Sequence, residues 1–259
     1  MTGTLHPLAQ AAVIALALFA AVWLVSLRAR DVSLIDRFWG PGFALLAAFH
    51  ALRAPSPRAL GVALLVAVWG LRLGWHIHRR NHGHAEDPRY AAMRAGAPAT
   101  FPYTSLFTVF GLQAALTWIV ALPLWAVARP ANPALGLIDA LALGVWMVGF
   151  AFETIGDAQL AAFKRDPANR GRLMTTGLWS WTRHPNYFGD ACMWWGVTIF
   201  AVAAHAPLWV HVGPAVMTVL LTSVSGVTML EATMKRRDGW AAYAARTSAF
   251  LPLPPKRVK

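Results

Sequence analysis

The chain has a single cysteine, Cys192, among its 259 residues. One thiol excludes an intramolecular disulfide and any zinc site built on paired cysteines. Charge is also scarce. Asp, Glu, Lys and Arg make up 13% of the residues, about half the roughly 25% typical of soluble domains. That shortage argues against a soluble cytosolic enzyme. Acid is the scarcer sign, with 11 Asp and Glu against 23 Lys and Arg, for a net charge of +12. There is no GxGxxG, no GxxxxGK[ST] and no HExxH, which removes the common nucleotide and zincin signatures. What the chain has instead is apolar mass: 57% hydrophobic residues and a mean hydropathy of +0.47. This excludes disorder. Thirteen Trp and thirteen Phe suit segments that lie in and at the edge of a bilayer.

A helix that crosses a membrane needs about 20 apolar residues for about 30 Å of hydrocarbon. Residues 8–27, 60–77, 105–127, 135–162, 187–204 and 209–230 form such runs, and 40–52, extended from Phe38, forms a shorter one. The expectation is an all-α integral membrane protein with seven transmembrane helices. With the N-terminus outside, segments 28–38, 78–102, 164–186 and 235–259 face the cytoplasm. They carry three, four, five and seven Lys or Arg, the last group including Arg257 and Lys259. The outer links hold only Arg53, Arg58 and Arg129, and Arg72 lies within a span. This asymmetry supports seven spans with the C-terminus cytoplasmic. No Lys or Arg precedes Leu8, so the first helix reads as a permanent span and not as a cleaved signal peptide. The cations are spread over four segments by topology, and no recognition motif accompanies them, so no nucleic-acid partner is expected.

Some charges are left over by topology, and ionisable residues in or beside membrane helices are functional candidates by default. Glu153, Asp157 and Lys164 fall within about 40° of one another on one helix face. The plain alternative is a solvated helix end. In the string from Gly177 to Asp190, Pro185 suits a helix start. Asn186 and Asp190 then share a face one turn apart. Arg183 and His184 stand at the positive end of that helix, a natural anion site, or else a basic membrane-edge anchor. Glu231 ends the last span, and Lys235 follows one turn later. Beyond it a short amphipathic helix through Trp240, Tyr243 and Arg246 reads either as a membrane-surface helix or as a lid over an anionic ligand.

These residues carry a resemblance. Glu153-x3-Asp157, Lys164-Arg165, Gly177-Leu178-Trp179, Arg183-His184-Pro185-Asn186-Tyr187-x-Gly189-Asp190 and Tyr243-x2-Arg246-Thr247-Ser248-Ala249-Phe250-Leu251-Pro252 resemble the C-terminal domain of the steroid 5α-reductase family, most closely its bacterial branch. Asp36-Arg37-Phe38-Trp39, Arg79-Arg80-Asn81 and Asp87-Pro88-Arg89-Tyr90 are also similar to that branch, so the resemblance covers most of the chain. The Arg-His-Pro-x-Tyr element occurs as well in isoprenylcysteine carboxyl methyltransferases and phospholipid methyltransferases. The resemblance implies an NADPH-dependent reductase that delivers hydride to the β-carbon of a conjugated enone, such as a Δ4-3-oxosteroid. The seven helices are expected to form a single membrane domain over residues 1–259, with a substrate side in residues 1–102 and a cofactor side in 103–259. By motif match, Asn186 and Asp157 hold the nicotinamide and ribose, while Lys164, Arg165, Arg172 and Arg183 serve the phosphates. Glu231, Tyr243 and Arg246 close the site, and Glu153, His184, Tyr187 and Asp190 complete the cofactor set. The charge pattern agrees, because a pyrophosphate and a 2′-phosphate call for Arg and Lys where no Rossmann motif exists.

At the substrate end the family uses a Glu and a Tyr to hold the carbonyl. Here Asp36 and His76 are the expected pair, with Tyr90 as the alternative donor. A donor aimed at the developing enolate lowers the barrier. Asp36 also suits a helix cap, and His76 and His78 suit a membrane edge. With His82 and His84 nearby, a zinc site is a third reading, but the spacing is a weak one and no metal is expected. The runner-up function is an S-adenosylmethionine-dependent methyltransferase of isoprenoid or phospholipid acceptors; a non-enzymatic membrane scaffold is the third. Against the methyltransferase, Glu231 stands alone and is followed by Lys235, Arg236 and Arg237. The expected partners are a lipophilic substrate and membrane lipid, with the chain a monomer. An Arg-rich composition, 19 Arg to 4 Lys, points to a GC-rich genome and a bacterial inner membrane.

Overall fold

A computed structural model describes residues 5–129 and 134–256. Arg257 and Lys259, counted above with the C-terminal cations, lie outside the described residues. Of the described residues, 77% are helical. Among the described residues the only β pairing is an isolated parallel bridge between Thr182 and Ser248. Two compact units form. The first combines Met1–Leu135 with Ala201–Val212, and the second combines Gly136–Phe200 with Gly213–Lys259.

In the first unit, α1 (Pro7–Ala29) starts where the His6 ring accepts from the Leu8 amide and Pro7 fills the first turn. Its buried face is Ala11, Ala15, Phe19, Val22 and Ser26, at helical spacing. It stops at Arg30, whose backbone turns left-handed with φ 51°. Helix α2 (Leu34–Arg53) begins earlier than the apolar run and takes Asp36 into its first turn. Helix α3 (Pro57–Asn81) is capped by Ser56, whose hydroxyl accepts from the Ala59 amide at 3.1 Å. α2 and α3 pack antiparallel with their backbones almost touching. A Cβ on Gly40 would strike the Gly70 backbone, and one on Gly74 would strike Arg37 and Pro41. On the other face of α3, Leu60, Leu64, Val68, Leu71 and Trp75 are exposed in one stripe, as lipid contact requires.

A short helix, α4 (Pro88–Gly96), is capped by Asp87, which accepts from the Arg89 amide at 2.9 Å. Helix α5 (Phe101–Val127) carries a π-helical turn at Leu106–Gly111. It runs antiparallel to α1: the Trp23 indole donates to the Pro102 carbonyl and the Trp118 indole to that of Leu8, each at 2.9 Å.

In the second unit, α6 (Leu137–Arg165) begins where Asp139 accepts from the Gly136 amide at 2.8 Å. Helix α7 (Pro185–Ala203) starts at the proline marked for it in the sequence. A Cβ on Gly189 would sit 2.5 Å from the Glu153 amide nitrogen and the Gly149 carbonyl oxygen. One on Gly196 would sit 2.9 Å from the Trp146 nitrogen. α6 and α7 are therefore antiparallel and in backbone contact. Helix α8 (Leu208–Met234) bulges into a π-helical turn at Leu220–Val224. Helix α9 (Trp240–Arg246) is entered through Gly239 at φ 77°, a conformation that glycine adopts without strain.

Helices α1, α3, α5, α6 and α8 are long and apolar enough to cross a membrane, so the chain is an integral membrane protein. α2 and α7 are helices of 20 and 19 residues where spans were expected, but they fall outside that set. The cause is polar content: α2 opens with Asp36 and Arg37 and closes with His50 and Arg53, and α7 opens with Asn186 and Asp190.

Candidate functional site

A polar cluster of the second unit surrounds Arg183, just before α7. Its Nε donates to Glu231 Oε1 at 2.8 Å, and one Nη donates to the carbonyls of Thr247 at 2.6 Å and Ala244 at 3.2 Å. The guanidinium also lies 5.3 Å from the Trp240 ring centroid, a cation–π contact. The two side chains of the ion pair are only 11% and 14% exposed. His184 is fully buried, and its Nε2 lies 3.2 Å from the same Glu231 oxygen. Burial pushes its pKa below the usual histidine value, so the ring is neutral at pH 7. A neutral ring on a carboxylate donates from Nε2, and Nδ1 is then an acceptor with no partner among the described residues. The ring stacks on Tyr187 with the planes 3° apart and the centroids at 5.5 Å.

The segment before Arg183 is pinned to α6. The Leu178 amide donates to Gln159 Oε1 and the Trp179 indole to the Gly156 carbonyl, each at 3.0 Å. Gly177 sits at φ 62°, and a Cβ there would meet the Gln159 side chain. The C-terminal segment straps onto this link. The Arg183 amide donates to Ser248 O at 2.8 Å, Thr182 Oγ1 to Phe250 O at 2.8 Å, and the Leu253 amide to Trp181 O at 3.0 Å. From α9, the buried Tyr243 hydroxyl donates to Trp179 O at 2.6 Å. Burial raises its pKa, so the phenol keeps its proton.

A cavity of about 610 Å³ opens between residues 170–175 and 238–246. Arg170, Arg172 and Arg246 line it with Tyr243 and Asp238. Arg237 supports one wall by donating to the Arg172 carbonyl at 3.2 Å. Three of the expected cofactor residues, Arg172, Tyr243 and Arg246, thus meet at one cavity. Arg170 was not singled out in the sequence, although it stands in the same basic run as Arg172. Lys164 and Arg165 end α6 exposed and are not part of this lining. Arg183, His184, Tyr187 and Glu231 form the cluster described above. Deeper in the helix pair, Asn186 donates to Asp157 Oδ1 at 3.3 Å. Glu153, Asp157 and Asp190 are 3%, 7% and 9% exposed. The glycine contacts between α6 and α7 bring these acids close to the partner backbone.

In the first unit, Tyr90 and Asp36 come together, with the phenol donating to Asp36 Oδ1 at 3.0 Å. Arg89 reaches Asp36 Oδ2 at 3.5 Å and Asp87 Oδ1 at 2.9 Å. The Asp87 amide donates to Ser33 Oγ at 2.7 Å, and Glu86 Oε1 accepts from the Val32 amide at 2.7 Å. The segment leading into α4 is therefore laced to the α1–α2 link. Burial pushes the Tyr90 phenol well above its usual pKa, so it is a donor at neutral pH. His76 is half-buried on α3, the helix on which the rings of Trp75 and His78 stack, and His78 lies one turn before His82 with the ring centroids 5.4 Å apart. Among the described residues no three His, Cys, Asp or Glu side chains converge in a way that could hold a metal ion.

Over 215 residues the chain is 28% identical to an uncharacterized protein of Schizosaccharomyces pombe, covering 72% of this chain. It spans 62% of the length of that relative. No solved structure matches the chain. Residues 22–247, nearly the whole sequence, match the family described as proteins of unknown function, DUF1295, and the chain belongs to that family.

Proposed function

We propose that the chain is a membrane reductase that uses NADPH to saturate the C=C bond of a conjugated enone in a lipophilic substrate, a Δ4-3-oxosteroid or a related lipid. The observation that carries this reading is the cavity lined by Arg170, Arg172 and Arg246. A 2′-phosphorylated dinucleotide presents a pyrophosphate and a third phosphate, and guanidinium groups recognise phosphates by paired hydrogen bonds. The donor set fits that group in charge and chemistry. Arg170, Arg172 and Arg246 would hold the phosphates, with Asn186 and Asp157 at the nicotinamide end. Membership in DUF1295, which contains steroid 5α-reductase-like proteins, supports the same reading.

When bound, NADPH supplies the hydride. The part of the chain itself is to polarise the substrate carbonyl as enolate charge develops on its oxygen. Tyr90 is the donor in this reading, and Asp36 orients the phenol until its O–H turns to the substrate. His76 is the second candidate donor. The proposed topology has seven spans, α2 and α7 included, in a bacterial inner membrane, with the N-terminus outside and the C-terminus cytoplasmic. The cationic cavity then faces the cytoplasmic nucleotide pool, and the chain acts as a monomer.

The test is ligand stabilisation of the protein purified in detergent. NADPH is expected to raise the thermal midpoint, NADH to raise it less, and S-adenosylmethionine not at all. Progesterone should then be reduced with matching consumption of NADPH. Stabilisation by S-adenosylmethionine with no effect of NADPH would overturn the reductase reading in favour of the methyltransferase.

A further inference from the structure

Between the end of α1 and the start of α5 lies a smaller cavity of about 150 Å³. Its polar lining is the side chains of Ser26, Arg30, Arg94 and Ser105, and Leu27 and Pro102 supply apolar wall. Both serines are 1% exposed. Each hydroxyl gives its proton to a carbonyl of its own helix, Ser26 to Trp23 O at 2.8 Å and Ser105 to Pro102 O at 3.1 Å. What each can still offer is a lone pair, an acceptor. The arginines offer donors. Arg94 places Nε and one Nη on Glu86 at 3.0 and 2.8 Å, which leaves its other Nη. The Arg30 side chain makes no hydrogen bond or ion pair among the described residues.

Arg30 is unusual in a second way. Its backbone sits at φ 51°, in the left-handed region that penalises any residue bearing a Cβ. Glycine or asparagine is the usual choice at a left-handed helix end, so an arginine there accepts a backbone cost that its side chain must offset. Here a strained residue lines a cavity whose chemistry is mixed, with cationic donors beside hydroxyl acceptors. The place matters too. α1 and α5 are both apolar enough to cross a membrane, so their ends meet the phosphate layer of the lipid headgroups. Leu24, Val25 and Phe107 are exposed on the same two helices, 57%, 57% and 75%, as a surface for acyl chains.

We propose that this cavity binds the headgroup of an anionic, hydroxyl-bearing glycerophospholipid of the phosphatidylglycerol type. The phosphodiester sits on Arg30 and the free edge of Arg94, and the headgroup hydroxyls donate to Ser26 and Ser105. A choline headgroup is disfavoured, because its cation would lie beside two guanidinium groups and has no hydroxyl to give. Basic pockets between membrane helices on the cytoplasmic side are a recurring form of lipid site.

The test uses the full chain, delipidated in detergent, with its thermal midpoint read against added phosphatidylglycerol, phosphatidylcholine or glycerol 3-phosphate. Phosphatidylglycerol is expected to raise the midpoint, and the other two are expected not to at equal concentration. Arg30→Gly removes the guanidinium and relieves the φ strain. It should keep or raise the basal midpoint while weakening the apparent affinity for phosphatidylglycerol about tenfold or more. Arg30→Asn, also at ease in that conformation, gives the same loss. Arg28→Gln, in the last turn of α1 but not in the cavity lining, retains the response. An unchanged response in both Arg30 variants overturns the site, as does an equal loss in Arg28→Gln, which would mean diffuse surface charge. An equal gain with phosphatidylcholine overturns the headgroup assignment, and an equal gain with glycerol 3-phosphate overturns the lipid as its source.

Discussion

A single methyl group at Gly189 should separate α6 from α7. The Cβ of alanine there would lie 2.5 Å from the Glu153 nitrogen and the Gly149 oxygen, and 2.9 Å from the Glu153 Cβ. Ordinary contact begins at 3.4 Å, so the helices must part by about 1 Å, and both obstacles are backbone that no rotamer change can remove. Overpacking of this kind costs about 1–3 kcal/mol, against a gain of about 1 kcal/mol for replacing a helical glycine by alanine. With two backbone atoms in the way, the clash belongs at the upper end, and a net loss of about 1–2 kcal/mol is expected. The parting also reaches the site. The Asn186–Asp157 hydrogen bond, already 3.3 Å long, cannot survive a shift of that size. Gly144, on α6, has nothing within 4 Å of an added Cβ, so Gly144→Ala should be neutral or stabilising. The assay is thermal unfolding in detergent, followed by circular dichroism, on both variants and the parent. Equal midpoints for Gly189→Ala and Gly144→Ala, at or above the parent, would refute the close-contact argument.

Other outcomes follow from the same geometry. Arg172→Gln and Arg246→Gln should each weaken NADPH binding about tenfold, the low end for a charge-assisted pair because both residues are exposed, and fluorescence titration at two salt concentrations would show it. Unchanged affinity in both would remove the cavity from the cofactor site. Tyr90→Phe should lower turnover about a hundredfold or more with cofactor affinity kept, as loss of an oxyanion donor does, while Asp36→Asn lowers turnover less; full activity in Tyr90→Phe would end its role as donor. His184 has a folded pKa held below the ordinary 6.5 by burial. The unfolded chain therefore binds more protons between those two values, and stability must rise with pH through that window and fall as pH drops below about 6.5. His184→Gln should flatten that slope in midpoints taken from pH 7.5 to 5.5, and an unaltered slope would assign it to other groups.

The readings that held were those that depend on one element at a time. Pro185 marks a helix start because its ring tolerates only the first turn, and α7 begins there. Glu153 and Asp157 are buried on one face because four residues make about one turn. The helix at Trp240–Arg246 was legible from its amphipathic spacing. What escaped was pairing. Nothing in the spacing of Gly40 or Gly149 says which backbone each will touch, because that depends on the partner helix and its register. The early start of α2 was hidden for a different reason: hydropathy sees Asp36 and Arg37 as a loop, whereas Arg89 and Tyr90, more than fifty residues away, supply what the carboxylate needs to sit in a helix. Arg170 was passed over because its position beside Arg246 comes from the fold of two distant segments.

The strap formed by the C-terminal segment has a consequence for variation in this region. Residues 181–183 take the carbonyl oxygens of Ala244, Thr247, Ser248, Ala249 and Phe250, and return the Trp181 oxygen to the Leu253 amide. These are main-chain groups, identical for nearly every amino acid. The identity of Ser248 and Ala249 is thus free to drift, while Phe250 also sets its ring edge-on against Phe188, and the number of residues in the segment is fixed. A deletion or insertion of one residue between Arg246 and Leu253 would slide each oxygen past its donor and cut the tether that joins α9 to the foot of α7.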